Sequence, residues 1–536
     1  MVSNGANVND FLPGRDIARD RAPNRKWTLG YLSSSRPKEV LMRRMVLSVC
    51  FVVAAGAVYI GALYIGIGRP VEVLAQTTDT VLYEGARVIV GDGSAAIENA
   101  AILVENGKFT TIGRRGQVQA PAATRVDLTG KTVMPTFVNT HLHIGPGRGT
   151  PAFYDMQAGR QQYIEQLHAL AYGGTAASTS MGWDNEAALQ IRAEYLPDAA
   201  RVLTSYRGAG VPLGQVKKIQ DAHAAGRDTR MEEDLSDSTV WLWTKTQVEI
   251  YVQEQAYKHV DFIKMWVDDR LGTELHLSPD IYRPLIERAH QHNIPVFAHM
   301  FYQADAKDLA RAGIDMLAHP VRDSLVDDEF VRIMKDHQVV QQTNFQLPWS
   351  YTMTEADAPL YWEDPLFLET SSPTAAQRYR EQARTRASIV RTHEGQLDVD
   401  GRKFNQEIYS RIVSNLKKEY AAGVKIAVGT DSGGTFAPHL DMRLLVKDVG
   451  LTPMQAITVA TRNAAEALDL HDLGTIQAGK DASFVVLNAN PLDDIKNTAK
   501  IAAVYLKGHK VDRDMIKKTY LSKITAPRTG STARRD

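Results

Sequence analysis

A single cysteine, Cys50, stands in 536 residues, which excludes an internal disulfide framework. The rest of the chain has no thiol, a composition in keeping with an oxidising compartment. Excess charge of either sign is missing too: 62 Lys and Arg balance 62 Asp and Glu, so the net charge of +0 offers nothing to a nucleic-acid partner. With 44% hydrophobic and 23% charged residues there is no sign of wholesale disorder, and the length allows one large domain plus a satellite.

Charge is absent altogether from Met45 to Gly68, a run rich in Val, Ala, Ile and Leu. As a helix it would extend roughly 36 Å, against a hydrocarbon core of about 30 Å. It reads as a transmembrane anchor. A cleaved signal peptide is the rival reading, with translation from Met42 and the small residues Val73 and Ala75 before the cut, but signal cores usually run only about 7–15 residues. Residues 1–44 carry nine Lys and Arg, including Arg15, Lys38, Arg43 and Arg44, whereas Arg69 stands alone just after the run. Positive-inside bias then predicts a cytosolic basic tail and a membrane-anchored protein whose catalytic region is periplasmic or extracellular. Secretion after signal cleavage is the alternative.

Residues 79–135 alternate short β-type runs with turns, among them Asn106-Gly107 between apolar stretches, a hairpin signal. The same texture returns at Ala482 to Leu487 and Ile501 to Leu506. The two ends, 79–135 and 475–515, are expected to build one small β-sandwich domain. Between them, over 136–474, strand-like runs alternate with helix-length stretches, the pattern of a parallel α/β fold. Eight candidate strands fit a (β/α)8 TIM barrel: Thr132 to Phe137, Ala176 to Thr179, Arg201 to Thr204, Phe262 to Met265, Pro295 to Ala298, Met316 to Ala318, Val339 to Gln342 and Lys425 to Val428. Residues 346–407 interrupt the alternation with Trp349, Tyr351, Tyr361, Trp362 and Phe367, and read either as a lid or as a packed structural insert. Residues 516–536 read as a solvated basic tail.

Short apolar runs in this region end in a metal-ligand type of residue. His141 and His143 follow Val133 to Thr140 and, two apart on a strand, face the same side. Lys264 lies in Asp261-Phe262-Ile263-Lys264-Met265-Trp266; His299 follows Ala298, His319 stands in Ala318-His319-Pro320, and Asp431 in Val428-Gly429-Thr430-Asp431-Ser432. In a parallel barrel, all six would be delivered to one rim, where a hydrolytic metal centre needs donors converging from several elements.

In that order, these motifs resemble the amidohydrolase superfamily of metal-dependent barrel hydrolases, particularly its imidazolonepropionase-like and prolidase-like branch. The resemblance covers roughly residues 79–515 and includes Gly474 to Ala482 followed by Asn490-Pro491-Leu492. It implies two divalent ions, expected to be Zn2+. His141, His143 and Asp431 would hold one and His299 and His319 the other, with a carboxylated Lys264 as bridge. It further implies hydrolysis of a carbon–nitrogen bond in a small amide, peptide-like or cyclic amide substrate, by a metal-bridging hydroxide with Asp431 as general base and then acid.

The branch's Gly-Gly-His element is not matched in Ser205 to Gln215, which counts against a strict Xaa-Pro dipeptidase. Tyr206, Arg207, Trp266 and His439 are the candidate substrate contacts, with solvated-loop or structural roles as the bland alternative. A lactonase or esterase on the same centre, a dipeptidase-like peptidase, and an inactive barrel kept as a binding module are the rival functions. Oligomeric state is not legible.

Overall fold

The computed structural model describes residues 80–147, 150–211, 239–269, 271, 275–385, 401–432 and 434–522. The basic tail 1–44, the run 45–68 with Cys50, residues 386–400 of the insert and the tail beyond 522 lie outside the described residues. The expectation of membrane anchorage is corrected: among the described residues no helix is long and apolar enough to cross a membrane. The longest of them, Gly401–Ala421, carries Lys403, Glu407, Arg411, Lys417 and Lys418, as a helix with one face in water does.

In chain order the strands are β1 (Thr80–Val88), β2 (Ile97–Glu105), β3 (Lys108–Arg114), β4 (Thr124–Asp127), β5 (Thr132–Pro135), β6 (Phe137–Asn139), β7 (Thr175–Ser180), β8 (Arg201–Thr204), β9 (Gly208–Gly210), β10 (Thr239–Trp241), β11 (Ile263–Trp266), β12 (Val296–His299), β13 (Met316–Ala318), β14 (Val340–Gln342), β15 (Ile426–Ala427), β16 (Phe484–Leu487), β17 (Ile501–Leu506) and β18 (His509–Lys510). Both ends of the described chain build one mixed sheet in the order β18-β17-β16-β5-β1-β2-β3, with β4 on β1. Strand β5 is the joint, parallel to β1 and antiparallel to β16. Tyr83, Phe484 and Tyr505 pack face to edge and face to face beneath it, with Phe484 and Tyr505 stacked at 4.5 Å.

The remaining strands form two parallel sheets, β6-β7-β8 and β10-β9-β11-β12-β13-β14-β15, an α/β arrangement consistent with a TIM barrel. Their margins are linked: Thr140 N–H donates to Val428 O (2.9 Å) on one side, and Asp261 N–H to Thr204 O (3.0 Å) on the other. Strands such as Thr175–Ser180 and Ile263–Trp266 are buried throughout, as strands covered on both faces must be. Several intervening helices start on side-chain caps, for example Thr244 and Gln247 in a capping box before Lys245–Tyr257, and Asp327 before Asp328–Asp336.

The run expected as one strand, Thr132 to Phe137, is two. Met134 and Pro135 pair with β16, whereas the Phe137 N–H turns to Gly174 O (2.9 Å) at the start of β7. An apolar run buried in two successive sheets looks continuous in sequence. In the described part of the insert, Trp349, Tyr361, Trp362 and Phe367 are buried in the main core and Tyr351 is 42% exposed. Arg443, itself buried, ties this insert to helix Ala437–Leu444 through Asp364 (2.7 Å) and Leu360 O (2.7 Å).

Glu419 is fully buried on Gly401–Ala421 and neither carboxyl oxygen has a hydrogen-bond partner. Burial pushes its pKa up to about 8 from 4.5. The folded chain therefore keeps a proton that the unfolded chain releases, so stability falls as pH rises from about 4.5 to about 8 and is flat above. Glu419→Gln should remove that slope in thermal unfolding at pH 5, 6.5 and 8, with its largest gain at pH 8. A gain independent of pH would show that ionisation of Glu419 is not the cause.

Candidate metal centre

Strand ends deliver the cluster. Beyond β6, Asn139 Oδ1 accepts the N–H groups of His141 and Thr430 (both 3.2 Å), and its Nδ2 donates to Thr430 Oγ1 (2.9 Å). Asp431 N–H then donates to His141 O (2.8 Å), so segments almost 300 residues apart are stitched side by side. Asp431 Oδ1 lies 3.3 Å from His141 Nε2 and 3.2 Å from His143 Nε2. His319, after β13, brings its ring within 5.2 Å of His141 and 4.5 Å of His299. Donor atoms of His141, His319 and Asp431 all fall within 4.8 Å of one another. His319 (φ 95°) and Asp431 (φ 60°) hold left-handed backbone, conformations that non-glycine residues keep only where their surroundings enforce them.

A cavity of about 330 Å³ is lined by all six expected metal-site residues together with Trp266. Burial, with the Lys264 charge adding to it, lowers His141 to about 4, and burial also lowers His299 and takes His319 well below its usual value. All three are therefore neutral imidazoles at pH 7. Burial brings Lys264 down to about 7 against the opposing pull of Asp431 and Asp268. Burial alone would raise Asp431, but His141 and His143 outweigh it and hold the carboxylate well below its usual range.

The donor set fits a divalent cation. His141 Nε2 is buried without a hydrogen-bond partner although it faces the Asp431 carboxylate. Its other nitrogen is spoken for: Nδ1 lies 2.7 Å from Gln342 Oε1, while Gln342 Nε2 donates to Thr140 O (2.6 Å). That network assigns the proton to Nδ1 and leaves the Nε2 lone pair for a cation. Gln342→Leu should weaken Zn2+ affinity by about 10- to 100-fold, measured by chelator competition, and Gln342→Glu, which keeps an acceptor, should lose less. Equal affinities in all three proteins would remove Gln342 from this role.

Two residues of the site, Trp183 and Gln342, were not singled out from the sequence. Trp183 stacks on His143 (4.1 Å) and on Trp266 (5.3 Å), making an aromatic wall. Trp266 lies on Gly208, where a Cβ would come 2.3 Å from its ring. Asp268 accepts from His299 Nε2 (3.2 Å), with Arg322 at 3.8 Å. The available signal for Trp183 was its place just past the run 175–180, and for Gln342 a polar residue closing a strand.

Three expected substrate contacts are corrected. Tyr206 donates its hydroxyl to Glu186 (2.9 Å) and Arg207 pairs with Glu254 (2.8 Å), and neither lines the cavity. His439 is buried in helix Ala437–Leu444, with Nε2 3.0 Å from Gly173 O and Nδ1 3.1 Å from Thr498 Oγ1, so both nitrogens serve packing. Their partners Glu186, Glu254, Gly173 and Thr498, and not their distance from a strand end, hold these three side chains away from the cavity.

Fold and cluster define a parallel-stranded α/β protein with a His/Asp site at the carboxyl ends of its strands. The Amidohydrolase family model matches residues 260–511. An imidazolonepropionase of Deinococcus radiodurans is 27% identical over 424 residues, covering 77% of this chain and 92% of that protein. Ochratoxinase of Aspergillus niger is 22% identical over 462 residues, 80% of this chain and 85% of its own. The structure of molinate hydrolase superposes with a TM-score of 0.63 at 20% identity, covering 85% of this chain and 99% of that one. The family match and these relatives support membership of the amidohydrolase superfamily, hydrolases that act on carbon–nitrogen bonds.

Proposed function

We propose that this chain hydrolyses the carbon–nitrogen bond of a small amide, peptide-like or cyclic amide at a site holding two zinc ions. His141, His143 and Asp431 would hold one, His299 and His319 the other, and Lys264, if carboxylated, would supply a further ligand. The observation that carries this reading is the convergence of six donors, from five separate strands or the loops that follow them, on one cavity. The two parallel sheets are read as one closed (β/α)8 barrel, supported by the backbone bonds at both margins, and the mixed sheet as its β-sandwich companion.

Bound divalent ions supply Lewis acidity, polarising the substrate carbonyl and lowering the pKa of water. Asp431 is ionised at neutral pH and is placed to take the proton of the attacking water and return it to the leaving nitrogen. Lys264, buried and with its pKa near 7, has the neutral amine fraction that reaction with carbon dioxide requires. Trp183 and Trp266 wall the cavity and exclude water from one side. The test is metal analysis beside an amide panel: two equivalents per chain are expected, with hydrolysis lost on chelation and restored by Zn2+. One equivalent in fully active protein would retire the two-ion arrangement, and activity surviving complete chelation would retire the metal mechanism.

A further inference from the structure

A second chamber of about 470 Å³ opens beside the first and shares His143 and Asp431 with it. We propose that the substrate spans both, carrying past the metal-site residues a ring-sized apolar arm that is neutral or anionic. This rests on the reading of those residues as the reaction centre and names the substrate class it would serve.

The chamber's walls come from two sources. Leu142 and Leu170 belong to the parallel-sheet side, while Tyr361, Phe367, Ala375 and Tyr379 come from the insert. Tyr361 packs against Phe367 at 4.8 Å and Tyr379 at 4.7 Å, a group of edges and faces of the kind that accepts another ring. The Tyr361 hydroxyl accepts from Gln346 Nε2 (2.7 Å), which anchors the ring in the chamber wall. Charge sets the second half of the inference. Arg378, on the lining, rests over Tyr379 at 5.1 Å, and among the described lining residues the sole carboxylate is Asp431, already committed to His141 and His143. A cationic arm would meet Arg378 without compensation. Because His143 and Asp431 stand at the junction, a bond held there has one side facing Trp183 and Trp266 and the other facing this aromatic chamber.

Hydroxamates, which chelate metal ions, test this by binding to the zinc-loaded full chain in calorimetry. Burying the added phenyl should make 3-phenylpropionohydroxamate at least about tenfold tighter than acetohydroxamate. An aminomethyl group on that ring should remove most of the gain. Ala375→Trp fills the chamber and Tyr379→Ala opens its wall; each should bring the phenyl-to-methyl affinity ratio to within about threefold, with metal content and unfolding midpoint as controls on folding. A wild-type ratio near one, or a ratio unmoved in both variants, overturns the proposal. If acetohydroxamate itself fails to bind the zinc-loaded protein, the metal-centred reading falls and this proposal with it.

Discussion

Asp431→Asn is expected to lower kcat by about 10²- to 10⁴-fold on any amide the protein hydrolyses, the range lost when a positioned acid–base group is removed. The substitution is nearly isosteric and the backbone is held independently, through the Asp431 N–H to His141 O bond of 2.8 Å. Geometry should therefore survive while the basic oxygen is gone. The amide oxygen of Asn still faces His141 and His143, so much of the metal should remain, and metal content measured beside kcat separates the two losses. Near-normal turnover in a metal-loaded Asn variant would take the proton-transfer role away from Asp431. A proportional loss of metal and activity would make it a ligand and no more.

Gly145→Ala should be the most damaging single methyl group in the neighbourhood. Gly145 lies two residues beyond His143 with φ +97°, and a Cβ there would sit 2.2 Å from Cζ of Tyr163. The ring cannot retreat: it is 1% exposed, and its hydroxyl donates to Asp184 (2.8 Å), which also accepts from Ser180 (2.6 Å). Gln166 clamps the glycine from the other side, accepting its N–H (2.9 Å) and donating to its carbonyl (3.0 Å). Left-handed strain of about 1–2 kcal/mol and overpacking of about 1–3 kcal/mol together cost roughly 2–5 kcal/mol. Denaturant unfolding should show that loss, and His143, pulled with the segment, should hold zinc more weakly. An unchanged unfolding midpoint would mean that the segment repacks freely and that this constraint does not position the histidine.

The placement of the site was legible where a local pattern carried it. An apolar run ending in His141, His299 or Asp431 reports a buried strand and the residue at its carboxyl end, because in a parallel sheet burial on both faces and strand direction are written into a few consecutive residues. The sheet change at Thr136 was not legible, since both partners of that run are apolar and period alone does not tell one buried sheet from another. Tyr206 and His439 show the same limit in loops and helices: their neighbours Glu186, Gly173 and Thr498 are distant in sequence, and those contacts, not residue type, fixed their roles.

By itself the sequence determined a parallel α/β chain, a set of metal-type residues at strand ends and a hydrolytic family, because strand periodicity and ligand chemistry are properties of short segments. The tertiary structure alone decided that Gln342, 201 positions away, orients His141, that Trp183 and Trp266 wall the cavity, and that the insert's aromatics line a chamber sharing His143 and Asp431. The physical reason is that directional hydrogen bonds and ring contacts act over a few ångströms in space, and which residues come that close is set by how the whole chain packs.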